Sequence, residues 1–363
     1  MTPFSLNRYS GKKVFITGDT GFKGSWLAVW LLKLGACVTG FGLPPKTHED
    51  NFTVCGLHSK IEHINGDIRD FTLLSDAIRE SRPDFVFHLA AQALVLDSYE
   101  EPHQTFTTNV TGTLNVLEAI RKNHGIKAAV MVTSDKCYEN REWVHGYRET
   151  DPLGGKDPYS ASKGAAEILI SSYIRSFFQE RNSPAVASVR AGNVIGGGDW
   201  SENRIIPDCI RSLRCNHSIE LRNPHSVRPW QHVLEPLYGY LLLGSALSGS
   251  EGKTFCSPWN FGPHSCNVVT VEDLVQEIIC QWGSGRYHIT ESQQKNKESN
   301  MLVLDINKAV HLLKWNPVLT LKKSIQLTIE EYRTEGLSEN VVFNQRSAHI
   351  DEYMNIQLGL VRP

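Results

Sequence analysis

The fold of this chain is decided by one stretch near its start, Lys13-Val14-Phe15-Ile16-Thr17-Gly18-Asp19-Thr20-Gly21-Phe22-Lys23-Gly24. An apolar strand pattern runs into a turn with three glycines, and a helical pattern follows over residues 25–34. Glycines let a backbone approach a pyrophosphate, and a helix N-terminus presents unpaired N–H groups to it. The stretch therefore predicts a dinucleotide site with contacts from Gly18, Thr20, Gly21, Phe22, Lys23 and Gly24.

Two later strand ends extend the predicted site. One apolar run leads to Asp67 and Ile68, and another leads to Leu89, Ala90 and Ala91. We expect Asp67 to accept a hydrogen bond from an adenine amino group. The two alanines are small, so a flat cofactor can lie close to the sheet.

These strand ends also leave choices open. Asp67 would equally well cap a helix that begins near Asp70, and His88 is expected to be a hydrogen-bonded structural residue rather than a ligand. The second strand offers no acid for a ribose, because it continues as Gly40-Phe41-Gly42. Lys46 is weak evidence for a 2′-phosphate, so the motif alone leaves NAD and NADP open.

A catalytic pattern lies further along, in Tyr159-Ser160-Ala161-Ser162-Lys163. Tyr159 and Lys163 are four residues apart, so on a helix they share one face and the ammonium approaches the phenol. A free phenol has a pKa of about 10, so its ionisation near neutral pH needs roughly 4 kcal/mol of help. Lys163 and an oxidised nicotinamide would both supply positive charge, which makes Tyr159 a candidate base.

The polar turn Thr133-Ser134-Asp135-Lys136 follows an apolar run at residues 128–132. That run predicts a buried parallel strand, and open α/β sheets bind their ligands at the carboxyl ends of such strands. Neighbours on a regular strand point to opposite faces, so Asp135 and Lys136 reach one ligand only if the strand ends before them. The competing interpretation of the pair is a solvated surface ion pair.

Composition and pattern predict a large α/β domain followed by a second region. The 363 residues are 40% hydrophobic and 21% charged, as in a globular chain of more than one domain. Strand and helix patterns alternate to about residue 190, which indicates a doubly wound parallel sheet, the Rossmann arrangement. Helices are expected in the second region at residues 271–282 and 321–334.

Charge and cysteine content exclude several classes of protein. A net charge of −2 argues against nucleic-acid binding, which usually shows a basic face. The eight cysteines include no C-x-x-C pair and no zinc-ligand spacing, so we expect no metal site and a reducing, cytoplasmic location. The start of the chain has no apolar signal core, and we expect no membrane span.

With these motifs in place, the chain resembles the extended short-chain dehydrogenase/reductase family, and within it the CDP-D-glucose 4,6-dehydratases. The resemblance covers nearly the whole chain. Its further motifs are Asp157-Pro158-Tyr159-Ser160, Arg190-Ala191-Gly192-Asn193-Val194-Ile195-Gly196-Gly197-Gly198-Asp199-Trp200, Arg228-Pro229-Trp230-Gln231-His232-Val233 and Trp259-Asn260-Phe261-Gly262-Pro263. The resemblance implies NAD as cofactor, CDP-D-glucose as substrate, a role in deoxysugar and O-antigen biosynthesis, and a homodimer or homotetramer.

The reaction that the resemblance implies gives the residues distinct roles. Tyr159 takes the proton from the sugar 4-hydroxyl while hydride leaves C4 for NAD+, and Ser134 hydrogen-bonds the same oxygen. The new ketone acidifies the C5 hydrogen, which Lys136 removes as base while Asp135 protonates the leaving 6-hydroxyl. Hydride then returns to C6, so the net change is loss of water.

The resemblance also implies where the substrate binds. Residues 1–190, with a return segment at about 228–262, would form the NAD-binding domain. Residues 191–227 and 263–363 would form a smaller α/β substrate-binding domain. The expected substrate contacts are Gln92, Asn193, Arg204 and Arg228, the arginines because a planar guanidinium holds two phosphate oxygens at once.

One departure and three rival functions accompany the resemblance. Asp19 stands where the subgroup has histidine, and an acid beside a pyrophosphate is expected to weaken cofactor binding. A nucleotide-sugar 4-epimerase, or a dehydratase of another nucleotide hexose, would use Tyr159 and Lys163 for the same first step. An epimerase, however, needs no elimination acid and base. A catalytically silent dinucleotide-binding regulator has no use for a primed phenol.

Overall fold

The computed structural model describes residues 4–264, 268–290, 301–334 and 336–360. In these residues the strands are β1 (Lys13–Thr17), β2 (Cys37–Gly42), β3 (Glu62–Asn65), β4 (Phe85–His88), β5 (Ala128–Val132), β6 (Ala185–Arg190), β7 (Val194–Ile195), β8 (Ile219–Leu221), β9 (Val227–Pro229), β10 (Gln231–His232), β11 (Trp259–Asn260), β12 (Val268–Thr270) and β13 (Tyr287–Ile289).

The helices of the described residues are α1 (Phe22–Lys33), α2 (Asn51–Val54), α3 (Phe71–Ser81), α4 (Val95–Glu100), α5 (Pro102–Phe106), α6 (Thr113–Lys122), α7 (Pro158–Phe177), α8 (Ile205–Arg214), α9 (Leu234–Leu247), α10 (Val271–Trp282), α11 (Leu321–Tyr332) and α12 (Glu339–Gln357). A π-helical turn, Thr107–Gly112, joins α5 to α6.

The central sheet confirms the predicted doubly wound parallel fold. Seven strands of the described residues lie in the order β11-β6-β5-β4-β1-β2-β3, and every neighbouring pair is parallel. The chain builds outward from β1 in one direction and then resumes at β4 in the other. Open α/β sheets bind ligands at such a reversal, in the crevice at the carboxyl ends of the strands.

Both faces of this sheet are buried, because alternate residues of each strand enter different apolar clusters. On β1, Val14 and Ile16 join a cluster with α1 and α9, whereas Phe15 joins a second cluster with α3, α6 and α7. This explains why the strands read as continuous apolar runs.

A smaller α/β region follows the sheet. It contains three two-stranded pairs, β7 with β10, β9 with β12, and β8 with β13. Apolar side chains of α8, α10 and α11 form their own cluster there, around Ile210, Leu274 and Ile329. A separate core explains why the sequence changes character after residue 190, although the exact domain division stays a prediction.

The predicted division assigns residues 263–363 to the smaller domain, but helix α12 packs on the helices of the central sheet. α12 packs on α1 and α2, and its Ile350 and Tyr353 belong to the core cluster of the central sheet. Glu235 of α9 fixes the end of the chain to this core. It accepts hydrogen bonds from the backbone N–H groups of Val318 and Leu319 and from the Tyr353 hydroxyl, at 2.7–2.8 Å.

Most local predictions agree with the elements. α10 has the predicted bounds, whereas α1 begins at Phe22, inside the glycine turn, and α11 ends at Tyr332. Asp70, not Asp67, caps α3, since its Oδ1 accepts from Leu73 N at 3.0 Å. The capping alternative for Asp67 is therefore wrong.

Candidate active site

The glycine turn after β1 packs so closely that side chains are excluded. Gly18 has a left-handed φ of +77°, and a Cβ there would lie 2.6 Å from Ala90 N. A Cβ at Gly24 would overlap the carbonyl oxygen of Gly18. Gly21 precedes α1 without a side-chain cap, so no side chain occupies the helix N-terminus. This uncapped N-terminus, beside a backbone-lined turn, fits a dinucleotide pyrophosphate.

The other predicted cofactor contacts border this turn. Leu89, Ala90 and Ala91 are half-buried where β4 ends, and Ile68 is buried after β3. Asp67 forms an ion pair with Arg69, with Nη2 to Oδ2 at 2.5 Å, and this hydrogen bond lowers the pKa of the Asp67 carboxyl. Both carboxylate oxygens of Asp67 accept hydrogen bonds from Arg69, and the contact with adenine stays a prediction.

Asp19 lies elsewhere than its position in the turn suggested. Its carboxylate is fully buried over β2, where Oδ2 lies 2.7 Å from His63 Nδ1 and a Cβ at Gly40 would overlap it. The expectation of an acid facing the pyrophosphate is therefore wrong: the space left by glycine in β2 lets the side chain fold onto the strand.

His88 has the structural role expected of it. Its Nδ1 lies 2.7 Å from Thr17 Oγ1 and its Nε2 lies 3.0 Å from Thr113 Oγ1. Burial lowers the pKa of His88 to about 3, so the ring is neutral at physiological pH. Both ring nitrogens are occupied in fixing β4 to its neighbours.

The catalytic wall, as we name residues 133–136 with Tyr159 and Lys163, begins where β5 ends. The strand stops at Val132, and Ser134 caps a 3₁₀ turn over Asp135–Cys137. Asp135 and Lys136 thus lie outside the regular strand, which is the condition for both to reach one ligand. Ser134 Oγ donates to Asp135 Oδ1 at 2.9 Å and accepts from Lys136 N at 3.2 Å.

Asp135 is not part of a solvated ion pair. It is 4% exposed, and a Cβ at Gly192 would overlap its Oδ2. Within the described ranges it makes no salt bridge, with Lys136 or with any other cation.

Helix α7 supplies the other half of the catalytic wall. Asp157 caps it by accepting from Ser160 N at 2.9 Å, and Pro158 occupies its first turn. One turn apart on the same face, Tyr159 and Lys163 are 7% and 5% exposed, and Lys163 Nζ lies 6.0 Å from the centroid of the Tyr159 ring. The predicted pairing of phenol and ammonium is present in the geometry.

The electrostatics of this pair differ from the sequence-based expectation. Burial raises the pKa of Tyr159 to about 12, although the Ser134 hydroxyl partly opposes it. Burial, followed by the nearby Lys23, lowers the pKa of Lys163 to about 8. Burial thus outweighs the Ser134 hydroxyl and leaves the pKa of Tyr159 above its ordinary value.

Lys23 connects the glycine turn to the catalytic wall. Burial, then Arg204, lowers its pKa to about 8, while Asp135 and Asp199 oppose the change. Its buried ammonium therefore lies within electrostatic range of Asp135 in the catalytic wall. The sequence marked Lys23 for the cofactor alone.

The opposite side, residues 192–204, we name the loop wall. Asn193 has a left-handed φ of +51°, a conformation that asparagine tolerates. Arg204 Nη1 lies 2.7 Å from Asp199 Oδ2 and is electrostatically coupled to Tyr159. The structure thus brings Arg204 and the catalytic wall together.

The two remaining predicted substrate contacts are placed differently. Gln92 folds back on its own chain, where its amide donates to the carbonyl oxygen of Leu94 at 2.9 Å and its Oε1 accepts from Leu94 N at 3.0 Å. Arg228 lies in β9, with Nη1 donating to the carbonyl oxygen of Val227 at 3.0 Å. A substrate contact by Gln92 would require these local bonds to open.

Sequence reasoning missed the residues that support the catalytic wall. Glu167, one turn after Lys163, forms an ion pair with Arg190 at 2.7 Å, and both side chains are 2% exposed. Glu167 also accepts hydrogen bonds from Thr133 and Ser188, and Arg190 donates to Tyr138. The signal was the Lys-x-x-x-Glu spacing, which places Glu167 on the buried face of α7.

A second buried carboxylate, Glu331 of α11, supports the loop wall. Its Oε2 accepts from Gly197 N at 2.6 Å, and its Oε1 lies 3.0 Å from His349 Nδ1 and 3.2 Å from His232 Nε2. Arg346 donates to the Glu331 carbonyl oxygen at 2.8 Å. These partners are distant in sequence, so no local motif predicts them.

No helix of the described ranges is both long and apolar enough to span a bilayer. No cluster of three or more histidine, cysteine, aspartate or glutamate side chains in the same ranges is arranged to hold a metal ion.

Comparison with known proteins agrees with this geometry. A family model described as GDP-mannose 4,6 dehydratase matches residues 15–328. The chain is 45% identical over 353 residues to a CDP-glucose 4,6-dehydratase of Salmonella typhimurium, covering 96% of this chain and 98% of that protein. A Thermus thermophilus UDP-glucose 4-epimerase, crystallised with NAD, has a TM-score of 0.76 at 26% identity, covering 89% of this chain and 99% of that one.

A solved dTDP-glucose 4,6-dehydratase of Streptomyces venezuelae, with NAD bound, has a TM-score of 0.76 over 89% of this chain and 97% of that one, and at 22% identity it supports the fold. The family match covers most of the chain and includes the glycine turn and both walls of the site. The chain therefore belongs to the GDP-mannose 4,6-dehydratase family, within the extended short-chain dehydrogenases/reductases.

Proposed function

We propose that this protein is an NAD-dependent hydro-lyase that converts CDP-D-glucose to CDP-4-dehydro-6-deoxy-D-glucose and water. The observation that carries the proposal is the catalytic wall, where Ser134, Asp135 and Lys136 leave the end of β5 beside Tyr159 and Lys163. An epimerase would need the tyrosine and lysine but not the acid and base. The 45% identity to a CDP-glucose 4,6-dehydratase supports the same assignment.

The first step falls to Tyr159. With its pKa raised to about 12, it takes the proton of the sugar 4-hydroxyl only when added positive charge stabilises the phenolate. NAD+, when bound, would supply that charge, accept hydride from C4 and return it to C6. Ser134 would hydrogen-bond the same sugar oxygen, and Lys163 would hold the phenol in place.

The elimination falls to the turn after β5. Lys136 would remove the proton from C5, and Asp135 would protonate the 6-hydroxyl as it leaves as water. Asp135 is buried against Gly192 and accepts a hydrogen bond from Ser134, which holds its carboxyl at the end of β5. As hydride returns to C6, Lys136 would give its proton back to C5, and the proton that Tyr159 took from the 4-hydroxyl would balance the one that Asp135 gave to the departing water, so the net change is the loss of one water.

The loop wall would hold the nucleotide sugar. Arg204, fixed by Asp199, is the first candidate for the diphosphate, with Arg228 as the second and Asn193 as a contact to the sugar or a phosphate. Gln92 would join them on release of its bonds to Leu94. The predicted NAD-binding domain contains the catalytic wall, and the predicted substrate-binding domain contains the loop wall. This division of the chain and the cytoplasmic location stay proposals.

Incubation with CDP-D-glucose and NAD+ tests the function directly. We expect a product lighter by one water in mass spectrometry, with dTDP-, GDP- and UDP-glucose converted far more slowly. Isomerisation of the sugar without water loss would indicate an epimerase. Faster conversion of another nucleotide hexose would identify that compound as the substrate. No conversion of any nucleotide sugar would indicate a silent dinucleotide binder.

We propose further that the chain forms a homodimer or homotetramer through α7. This helix packs on α5 and α6 and exposes two apolar side chains, Ile168 at 60% and Phe177 at 48%. Ile168→Glu should therefore reduce the mass measured by light scattering, whereas Val144→Glu, in a loop and 83% exposed, should not. A monomeric wild-type protein at micromolar concentration would contradict the proposal.

A further inference from the structure

Gly40 and Gly42, near the end of β2, leave room for another side chain and are not needed for an unusual backbone conformation. Neither Gly40 nor Gly42 has a positive φ, so their backbone would accept other residues. A Cβ at position 40 would overlap Asp19 Oδ2, and one at position 42 would lie 3.1 Å from Asp19 Oδ1. The Asp19 carboxylate therefore fills the place that side chains of β2 would otherwise take.

One oxygen of this buried carboxylate has no partner. Oδ2 lies 2.7 Å from His63 Nδ1, whereas Oδ1 has no hydrogen bond within the part of the chain that the structure describes. Asp19 also forms no salt bridge with a described lysine or arginine. A buried polar atom left without a partner is costly, so its retention calls for an explanation in function.

Oδ1 lies beside the end of β2, where a cofactor contact recurs in dinucleotide-binding folds. In dinucleotide-binding folds, an acid at the end of the second strand accepts the 2′-hydroxyl of the adenosine ribose. This chain has Gly42 at that strand end, and the pairing of Thr17 with Phe41 places Gly42 beside Gly18 at the start of the glycine turn. β2 thus has no acid at its end, and the carboxylate of Asp19, from the glycine turn, lies beside that position.

We propose that Asp19 determines the choice of dinucleotide: it accepts the ribose 2′-hydroxyl of NAD and excludes the 2′-phosphate of NADP. This inference rests on the NAD dependence proposed above. Oδ1 is buried, so the ribose would reach it only if the residues after Gly42 move; Leu43, the first of them, is 57% exposed. The charge also acts without contact, because a carboxylate that has no lysine or arginine partner among the described residues repels a nearby phosphate.

Direct binding of NAD+ and NADP+ to the protein without substrate, by isothermal titration calorimetry, tests this role. The wild-type protein should bind NAD+ more tightly. Asp19→Asn keeps the shape and an acceptor but removes the charge, so the preference for NAD+ should fall by about 10-fold. Asp67→Asn is the matched control: both dinucleotides contain adenine, so both affinities should fall by the same factor.

A transplant of the acid gives a second test. Asp19→Gly should lose the preference for NAD+, and Gly42→Asp added to that variant should restore it, because the new side chain enters the vacated space. Gly42→Asp alone should weaken NAD+ binding, since its Cβ would lie 3.1 Å from Asp19 Oδ1.

The outcomes separate the two proposals. If Asp19→Asn and the transplant both leave the NAD+ to NADP+ ratio unchanged while NAD+ still binds, the role of Asp19 is overturned and the NAD dependence stands. If the wild-type protein binds neither dinucleotide, both are overturned.

Discussion

The catalytic wall and the loop wall are supported in different ways. Behind the catalytic wall, Glu167 and Arg190 form a buried ion pair between α7 and β6, two adjacent elements of the central sheet domain. Behind the loop wall, Glu331 of α11 joins Gly197 to residues of β10 and α12. The catalytic wall is thus supported by neighbouring elements of the central sheet, whereas the loop wall depends on contacts between distant parts of the chain. We therefore expect the catalytic wall to control kcat and the loop wall to control KM.

The largest effect should come from Tyr159→Phe. Removal of the hydroxyl takes away the proton acceptor for the sugar 4-hydroxyl, so kcat for water loss should fall by about 10³-fold. NAD+ binding, measured by calorimetry, should persist. A variant that kept wild-type kcat would move the proton transfer away from the catalytic wall.

Glu167→Gln should have the next largest effect, on stability as well as kcat. The change leaves the Arg190 guanidinium buried without its carboxylate, which typically costs about 3–5 kcal/mol of unfolding free energy. The control is Asp76→Asn, which breaks an exposed pair with Arg79 and should cost less than about 1 kcal/mol. Urea unfolding measures both, and equal losses would show that burial of the pair is unimportant.

Arg204→Lys should separate the two walls. Lysine keeps the positive charge near Tyr159, so kcat should change little, but it loses the planar fork that holds two phosphate oxygens. We expect KM for CDP-D-glucose to rise about 10-fold, as for one lost charged hydrogen bond. A fall in kcat at unchanged KM would place Arg204 in the chemistry instead.

The smallest effects should appear in the pH dependence of stability, with opposite signs for two buried glutamates. Burial raises the pKa of Glu235 to about 7, so its contribution is complete below about pH 4.5 and is lost as pH rises through 7. Burial alone would raise the pKa of Glu331 too, but His232, His349 and Arg346 hold it well below its ordinary value. The contribution of Glu331 is therefore present above about pH 4.5 and is lost as pH falls.

Urea unfolding at pH 5, 6 and 7 checks this sign. Glu235→Gln should remove a downward slope of at most about 1.4 kcal/mol per pH unit between pH 5 and 7. The slope of a matched Glu331→Gln variant should not change in that direction. Identical pH profiles of wild-type and Glu235→Gln proteins would contradict the raised pKa of Glu235.

The features that can be predicted from sequence are those whose structure depends on residues nearby in the chain. The glycine turn, the strand before it and the Asp157-Pro158 start of α7 depend on neighbours along the chain, so their patterns can be read directly. Asp19 could not be placed, because its environment depends on Gly40 of another strand and His63 of a third. The Glu331 cluster was missed for the same reason: its partners lie between residues 197 and 349, and only the tertiary fold brings them together.

The packing of α12 on α1 has a consequence for synthesis of the protein. α1 follows directly from the glycine turn, yet part of its apolar cover comes from Ile350 and Tyr353, more than 300 residues later. Domains usually fold as units, with the N-terminal part first during translation. Here the nascent first half leaves the ribosome with one face of α1 uncovered, so the core beneath the glycine turn is complete only when the last helix has emerged.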